Sequence, residues 1–166
     1  MTLSEFRAAW NGKFNNLDQA LGPQCVDLVE QYNKDVIGAP RIGGNAVDLS
    51  KNASPDFYEY AVNTLTYIPP AGAIALWNNK VGEGNGHCSI VLAANIITFK
   101  SFDQNWPKGS AVHEQMHSYI NVDGFLVPKI KKSPENPVVA SEELEAYKMR
   151  VRNVIQSAEN VLDTLK

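Results

Sequence analysis

A cysteine just ahead of an apolar-periodic segment is the first candidate for chemistry. Cys25 follows a Gly-Pro turn in the stretch LGPQCVDLVEQYNKDVIG, and the apolar positions after it recur at helical spacing until Gly38. A thiol is a useful nucleophile only as a thiolate, and a helix N-terminus with a neighbouring imidazole lowers its pKa. The pattern predicts that Cys25 begins a helix that helps to ionise it, although a lone cysteine in a helix is more often a buried apolar residue.

His87 is the best placed of the three histidines to pair with this thiol. It follows a Gly-rich turn and begins an apolar strand, so it would be held rigidly yet remain within reach of a substrate. The next predicted strand ends in SFDQNW, where Asp103 and Asn105 alternate onto one face and could orient the imidazole. Cys88 alternates away from His87 and is expected to pack in the core. Cys25, His87 and Asp103 or Asn105 form a cysteine-peptidase set, although the polar pair could also be ordinary strand-end residues.

The elements that must position these side chains predict an α+β fold. Residues 1–56 have the pattern of helix, turn and helix, with Thr2 and Glu5 in a capping-box pattern at the first helix. From about residue 67 to 128 the pattern changes to short strands bounded by Gly, Pro and Asn. Helices first and strands after them indicate helices packed on an antiparallel sheet.

The end of the chain differs in character from this domain, which we expect to span residues 1–130. A polar, Pro-containing linker is predicted over 131–140 and an amphipathic helix over 141–166. The apolar residues of this helix follow heptad spacing: Leu144, Tyr147, Val151, Val154, Ala158, Val161 and Leu165. A lone helix of this length is marginal in water, so the stripe needs a partner. That partner is either the domain surface or a second copy of the helix in a homo-oligomer.

Composition argues against several classes of protein. The chain has 166 residues, a formal net charge of -3 and two cysteines. The charge gives no broad footprint for nucleic acid, and two cysteines are too few for a disulfide framework. The apolar runs are too short to span a membrane, and the N-terminal stretch lacks the pattern of a secretory signal. We therefore expect a protein made in the cytoplasm with free thiols and no nucleic-acid or membrane partner.

Six stretches of the chain resemble the CHAP family, the cysteine- and histidine-dependent amidohydrolases and peptidases of phage endolysins and bacterial autolysins. They occur in family order over roughly residues 10–130: GPQCVDLVEQY, PRIGGNAVDL, PPAGAIALWNN, GHCSIVLAAN, DQNW and GFLVPK. The resemblance implies that Cys25 is the nucleophile and His87 the general base. It implies that Asp103 is the third member, that Asn105 orients the imidazole or helps to hold the oxyanion, and that Gln24 is the residue preceding the nucleophile.

The same resemblance implies a fold and a function. The fold would be papain-like, with N-terminal helices packed on an antiparallel sheet. The substrate would be bacterial peptidoglycan, cut at an amide bond by an endopeptidase or an N-acetylmuramoyl-L-alanine amidase that needs no cofactor. The protein would be made in the host cytoplasm and act on the wall after release. The alternative is a non-catalytic CHAP-like wall-binding or virion structural module.

The sequence also contains two candidate metal sites, one for calcium and one for zinc. Many phage members of the family carry calcium ligands upstream of the cysteine, and Asn16, Asp18 and Asp27 hold those places here. They could bind Ca²⁺, or the two acids could simply cap local turns.

The stretch HEQMH matches the H-E-x-x-H zinc pattern through His113 and His117. That pattern needs a helix, and these residues alternate at strand spacing, so a zinc metallopeptidase is disfavoured.

Overall fold

The computed structural model describes residues 1–129 and residue 149. Residues 1–129 combine short helices with a six-stranded antiparallel sheet, so the predicted α+β class is confirmed. The predicted linker over 131–140 lies outside the described residues. So does the predicted C-terminal helix over 141–166, apart from Met149, which is helical. No helix in the described part of the chain is long and apolar enough to cross a membrane.

The helices precede most of the sheet along the chain. The helical elements are α1 (Leu3–Trp10), α2 (Cys25–Tyr32), a π-helical turn (Asn33–Ile37), a 3₁₀ turn (Ala46–Asp48), α3 (Leu49–Asn52) and a second 3₁₀ turn (Gly82–Gly84). The strands are β1 (Tyr58–Val62), β2 (Ile74–Trp77), β3 (His87–Ala94), β4 (Thr98–Asp103), β5 (His113–Ser118) and β6 (Val122–Pro128). All neighbouring strands pair antiparallel, in the order β1-β6-β2-β3-β4-β5.

The first two helices begin where the sequence predicts. The Thr2 hydroxyl accepts a hydrogen bond from the Glu5 N–H, and the Glu5 carboxylate accepts one from the Thr2 N–H, which is the predicted capping box. The segment that starts at Cys25 ends at Gly38, whose φ of 70° is the left-handed conformation that glycine adopts readily. Its last turn, Asn33–Ile37, is π-helical, which the sequence pattern did not indicate.

The strand predictions were less accurate. The stretch AVHEQMHSYINV, from 111 to 122, has strand spacing that predicts a single strand, but the structure divides it into β5, a turn at 119–121 and the start of β6. β1 was not predicted, because it is a short and mostly exposed strand at the edge of the sheet, without an apolar run. Pairing with β6 defines β1, and pairing partners far along the chain leave no local signal.

The sheet buries a different set of side chains on each face. The helix-covered face holds a cluster in which Leu28, Val29 and Tyr32 of α2 pack with Ile90 and other core residues. On the opposite face a second cluster contains Ala73, Ala75, Trp77, Val91, Phe99, Val122 and Phe125. α2 therefore lies against the sheet with its first residue at the edge where β3 begins, and this brings Cys25 to His87.

Candidate active site

The nucleophile candidate lies at the first position of α2. Gln24 is the extended residue before the helix, and its N–H donates to the Asp27 carboxylate over 2.8 Å. The N–H groups of a first helical turn have no partner within the helix and carry partial positive charge. Cys25 is the first residue of this helix and is partly exposed.

A buried glutamine fixes the backbone in front of this helix. The Gln104 amide donates to the Gln24 carbonyl over 2.6 Å and to the Asn15 carbonyl over 2.8 Å, and its oxygen accepts from the Asn15 N–H over 2.7 Å. Gln104 has no exposed surface and directly follows the last residue of β4. The sequence analysis gave it no role. Its only local signal was a polar residue placed next to a candidate active-site acid.

Strand β3 and two tryptophan rings fix the position of the His87 imidazole. His87 is the first residue of β3 and is 3% exposed. Its ring centre lies 5.1 Å from that of Trp77 and 4.7 Å from that of Trp106. The preceding Gly86 has a φ of 75°, and a Cβ there would lie 2.5 Å from the Trp77 carbonyl oxygen. Only glycine therefore allows the chain to enter β3 at this point.

Asp103 orients this imidazole and is itself surrounded by donors. Its Oδ1 lies 2.6 Å from Nε2 of His87, and its side chain is fully buried. Its Oδ2 lies 2.7 Å from Nε2 of His117 and accepts from the Ser101 hydroxyl over 2.8 Å. Because an ionised carboxylate only accepts hydrogen bonds, both Nε2 atoms must carry a proton. Nδ1 is then the nitrogen that His87 has left for the thiol.

The electrostatics of these groups favour an ion pair. Hydrogen bonding from Cys88 and from His87 holds the pKa of Cys25 well below its usual range, against the effect of burial. Burial acts to lower the pKa of His87, but Asp103 and Cys25 outweigh it and raise that pKa to about 9. Burial likewise opposes ionisation of Asp103, yet hydrogen bonds from His117 and His87 lower its pKa. These pKa shifts favour the thiolate, imidazolium and carboxylate forms of the three groups.

Cys88 has the opposite character, although it contacts Cys25. It is buried in the cluster on the helix-covered face, as the sequence predicted. Burial, reinforced by the neighbouring Cys25 sulfur, raises the pKa of the Cys88 thiol well above its usual value. The contact between the two sulfurs was not foreseen. Cys88 is the largest cause of the lowered pKa of Cys25.

Asn105 is not where the sequence analysis placed it. β4 ends at Asp103, so the strand alternation that would put Asn105 beside Asp103 does not continue, and Asn105 has a φ of 63° in the following loop. Its amide donates to the Gln24 side-chain oxygen over 3.0 Å and its own oxygen accepts from the Gly109 N–H over 2.6 Å. Its side chain bonds Gln24 and Gly109 and not His87, so the expectation that it orients the imidazole is corrected, while the alternative that it helps to hold the oxyanion stays a prediction.

A cleft of about 630 Å³ opens onto Cys25 and His87. The buried Glu30 carboxylate holds one wall by accepting from the N–H groups of Ile42 and Gly43 over 3.0 and 2.7 Å. Two ion pairs join residues of the lining, Arg41 with Asp18 over 3.0 Å and Lys108 with Glu83 over 2.8 Å. The cleft therefore has room for an extended substrate, and charged groups of both signs lie along its walls.

The residues predicted for calcium are used in the turn before α2. Asp27 accepts from the N–H groups of Leu17, Asp18 and Gln24. Asp18 accepts from the Ala20 N–H and from Arg41. All four carboxylate oxygens thus face N–H donors, one of them the Arg41 guanidinium at Asp18. Ca²⁺ needs six to eight oxygen ligands, so this donor set does not fit it and fits the turn-capping alternative.

The zinc pattern also lacks the geometry it requires. His113 and His117 lie on β5, a strand, as predicted. His113 bonds the Ala111 carbonyl and the Gln115 side chain, whereas His117 bonds Asp103. Within the described residues, no three His, Cys, Asp or Glu side chains are grouped as metal ligands. His117 belongs to the hydrogen-bond network around the active-site acid, and nothing in the sequence pattern indicates this.

Comparison with known proteins gives two informative similarities, and no family model matches the chain. The probable autolysin PH of Staphylococcus aureus is 32% identical over 98 residues, which cover 57% of this chain and 20% of the autolysin. The crystal structure of the wild-type endolysin LysIME-EF1 matches with a TM-score of 0.66 and 27% identity, covering 79% of this chain and 66% of the endolysin chain. The chain thus spans a fifth of the autolysin and just under two thirds of the endolysin. It is related in sequence and in fold to an autolysin and an endolysin.

Proposed function

We propose that this chain is a peptidoglycan hydrolase of the CHAP family, which cleaves an amide bond of the bacterial cell wall with Cys25 as its nucleophile. The observation that carries the proposal is that Cys25 and His87 line the same cleft and that His87 is hydrogen-bonded to the buried Asp103. The relationship to an autolysin and an endolysin supports the choice of substrate.

The mechanism follows from the order of these groups. The Cys25 thiolate attacks the amide carbonyl carbon, and the backbone N–H of Cys25, at the start of α2, stabilises the oxyanion. His87 gives its Nδ1 proton to the leaving amine as the C–N bond breaks, which leaves a thioester on Cys25. His87 then takes a proton from water as that water attacks the thioester, and the thiolate is released with a new carboxylate product. Asp103 keeps the imidazole in the required tautomer throughout.

Lysis of purified bacterial walls tests the proposal. The wild-type chain should clear a wall suspension, and Cys25→Ala should not, because an alanine has no nucleophile to replace the thiolate. Circular dichroism of the variant should match the wild type. Clearing by a folded Cys25→Ala variant would contradict the thiol mechanism, and failure of the wild type to release any fragment would favour a non-catalytic wall-binding or virion module.

Two further measurements define the reaction class. Mass spectrometry of the released fragments should find a new amine and a new carboxylate, and their position distinguishes an amidase from an endopeptidase. Iodoacetamide should stop the reaction, whereas a chelator should not. Inhibition by chelator with an intact Cys25 thiol would instead support a metallopeptidase.

For calcium, we infer that Asp18 and Asp27 cap the turn before α2 and hold no ion. Adding millimolar Ca²⁺ should therefore leave the melting temperature unchanged, since a ligand raises it only by binding the native state. A rise that Asp18→Asn abolishes would contradict this inference.

For self-association, we propose on sequence grounds that residues 141–166 form the contact in a homo-oligomer. Light scattering should give a mass above that of the monomer for the full chain and a monomeric mass for a truncation after Lys132. A monomeric full chain at tens of micromolar would exclude the oligomer.

A further inference from the structure

We propose that His117 is a positioning residue of the active site: it holds Asp103 in the orientation in which that carboxylate supports His87. The inference rests on the proposed function, because it assigns a part in the same site. It also gives a role to the histidine of the HEQMH motif whose side chain hydrogen-bonds the active-site acid.

The side chain of His117 is held by packing and by a hydrogen bond, unlike that of a surface residue. Its side chain is 8% exposed, and its Nε2 lies 2.7 Å from Oδ2 of Asp103. Its ring meets Trp77 edge-on with ring centres 4.9 Å apart, and it lies 5.5 Å from the ring of Phe99. The strand register places it opposite Phe99 on β4. Packing therefore fixes the ring so that Nε2 points at the carboxylate.

The carboxylate divides its two oxygens between two imidazoles. Oδ1 meets Nε2 of His87, and Oδ2 meets Nε2 of His117 together with the Ser101 hydroxyl. A carboxylate with its second oxygen fixed cannot rotate about χ2 without breaking these bonds. A second donor on Oδ2 also favours the ionised form of a fully buried acid. His117 thus secures both the direction and the charge of the group that His87 requires.

His117 does not touch the thiol and is not a catalytic residue. Two titratable groups face it, Asp103 from β4 and His87 from β3, whose ring centre is 6.5 Å away. Its effect on Cys25 must therefore pass through Asp103 and His87. If Asp103 is less well held, the His87 imidazolium is less stable, and the Cys25 thiolate then forms only at a higher pH.

The test measures the thiol directly, so that it does not depend on the substrate. The rate at which iodoacetamide alkylates Cys25 is followed against pH, with peptide mass spectrometry to separate Cys25 from Cys88. The variants are His117→Phe, which keeps a ring between Trp77 and Phe99 but has no donor, and His117→Gln, which restores an N–H donor. The matched control is His113→Phe, four residues earlier on the same strand face, since the ring nitrogens of His113 bond Ala111 and Gln115 and not the Asp103 carboxylate.

The expected results distinguish positioning from simple packing. For His117→Phe the pH midpoint of Cys25 alkylation should move up by about one unit. The kcat for wall hydrolysis should fall about tenfold with little change in KM, which is the lower end of the loss seen when a residue that hydrogen-bonds a metal-ligating histidine is replaced. His117→Gln should recover most of both, and His113→Phe should match the wild type.

Three outcomes would overturn the proposal. One is a wild-type midpoint and wild-type kcat in a folded His117→Phe variant. Another is an equal loss in His117→Phe and His117→Gln with the midpoint unmoved, which would indicate packing alone. The third is an equal shift in His113→Phe. If the wild type fails to hydrolyse walls, the proposed function fails, but the alkylation midpoints still decide the role of His117.

Discussion

The two cysteines lie in contact with each other, yet the first turn of α2 and the interior of β3 give them opposite properties. The Cys25 sulfur has a helix N-terminus behind it, an imidazole beside it and an open cleft in front of it. Cys88 faces the core under the helix and is 1% exposed. The pKa of Cys25 is lowered and that of Cys88 is raised. Position in the fold, and not residue type, decides which thiol can act as a nucleophile.

The contact between the two regions is asymmetric. A buried neutral thiol has a proton to donate, and an ionised sulfur has lone pairs to accept it. The raised pKa of Cys88 favours its neutral form, and this neighbour lowers the pKa of the Cys25 thiol. Burial in the core raises the pKa of Cys88, and this favours the neutral thiol beside Cys25.

The largest effect should come from removing the His87 imidazole, which lies beside Cys25. His87→Ala should be as inactive as Cys25→Ala in wall hydrolysis, a loss of several orders of magnitude, because nucleophile and base act as a unit. The double variant should lose no more than either single variant. Initial rates of wall clearing measure all three. Substantial activity of His87→Ala would show that the helix N-terminus alone is enough to activate Cys25.

Replacing the buried acid should have the next largest effect. Asp103→Asn should lower kcat by roughly 10²- to 10⁴-fold, because an amide cannot stabilise the imidazolium and its nitrogen would face donors on Ser101 and His117. Alkylation of Cys25 in this variant should require a higher pH than in the wild type. An unchanged alkylation profile would separate Asp103 from the thiol and leave it as a structural residue.

The pH dependence of activity should distinguish the ion pair from a neutral pair. The pKa of His87 is raised to about 9, so the imidazolium proton that the leaving amine needs is present below that pH and lost above it. We expect kcat/KM to fall as the pH rises through about 9, while Cys25 alkylation stays fast. A decline centred near pH 6.5, the ordinary value for histidine, would contradict the ion pair.

Altering the core cysteine should have the smallest effect. Cys88→Ala removes the donor to Cys25 and should slow wall hydrolysis severalfold, with a small upward shift of the Cys25 alkylation midpoint. Cys88→Ser keeps an O–H donor and should shift the midpoint less, although burying a hydroxyl costs some stability. Midpoints and melting temperatures measured on both variants test this. Complete inactivity of a folded Cys88→Ala variant would mean that the roles of the two thiols are assigned wrongly.

Local patterns were sufficient for some residues of the site and not for others. Cys25 and His87 were found because each begins an element, and the start of a helix or strand has a clear signal in turn residues and apolar periodicity. Asn105 was misplaced because strand alternation was extended two residues beyond the true end of β4. Strand ends depend on pairing with neighbours, and the pairing of β4 with β5 stops at Asp103.

Gln104 and His117 show what could not be found from the sequence. Each is an isolated polar residue whose partner is distant in sequence. Gln104 bonds the backbone carbonyl of Gln24, beside Cys25, and His117 on β5 bonds Asp103 on the neighbouring strand β4. No spacing rule links such pairs. Even the correct prediction that HEQMH is a strand did not reveal that one of its histidines faces the active-site acid.

The sequence by itself determined which segments are helix and strand where the apolar period is strong, and which residue types could form a thiol mechanism. Those properties depend on neighbours within a few positions, because caps, turns and periodicity are local. The tertiary structure alone decided that Asp103 supports His87 with His117 behind it, that Asn105 turns to Gln24, and that Cys88 contacts Cys25. The physical reason is that ionisation and orientation depend on burial and on hydrogen-bond partners, and both are set by strand pairing and helix packing between distant parts of the chain.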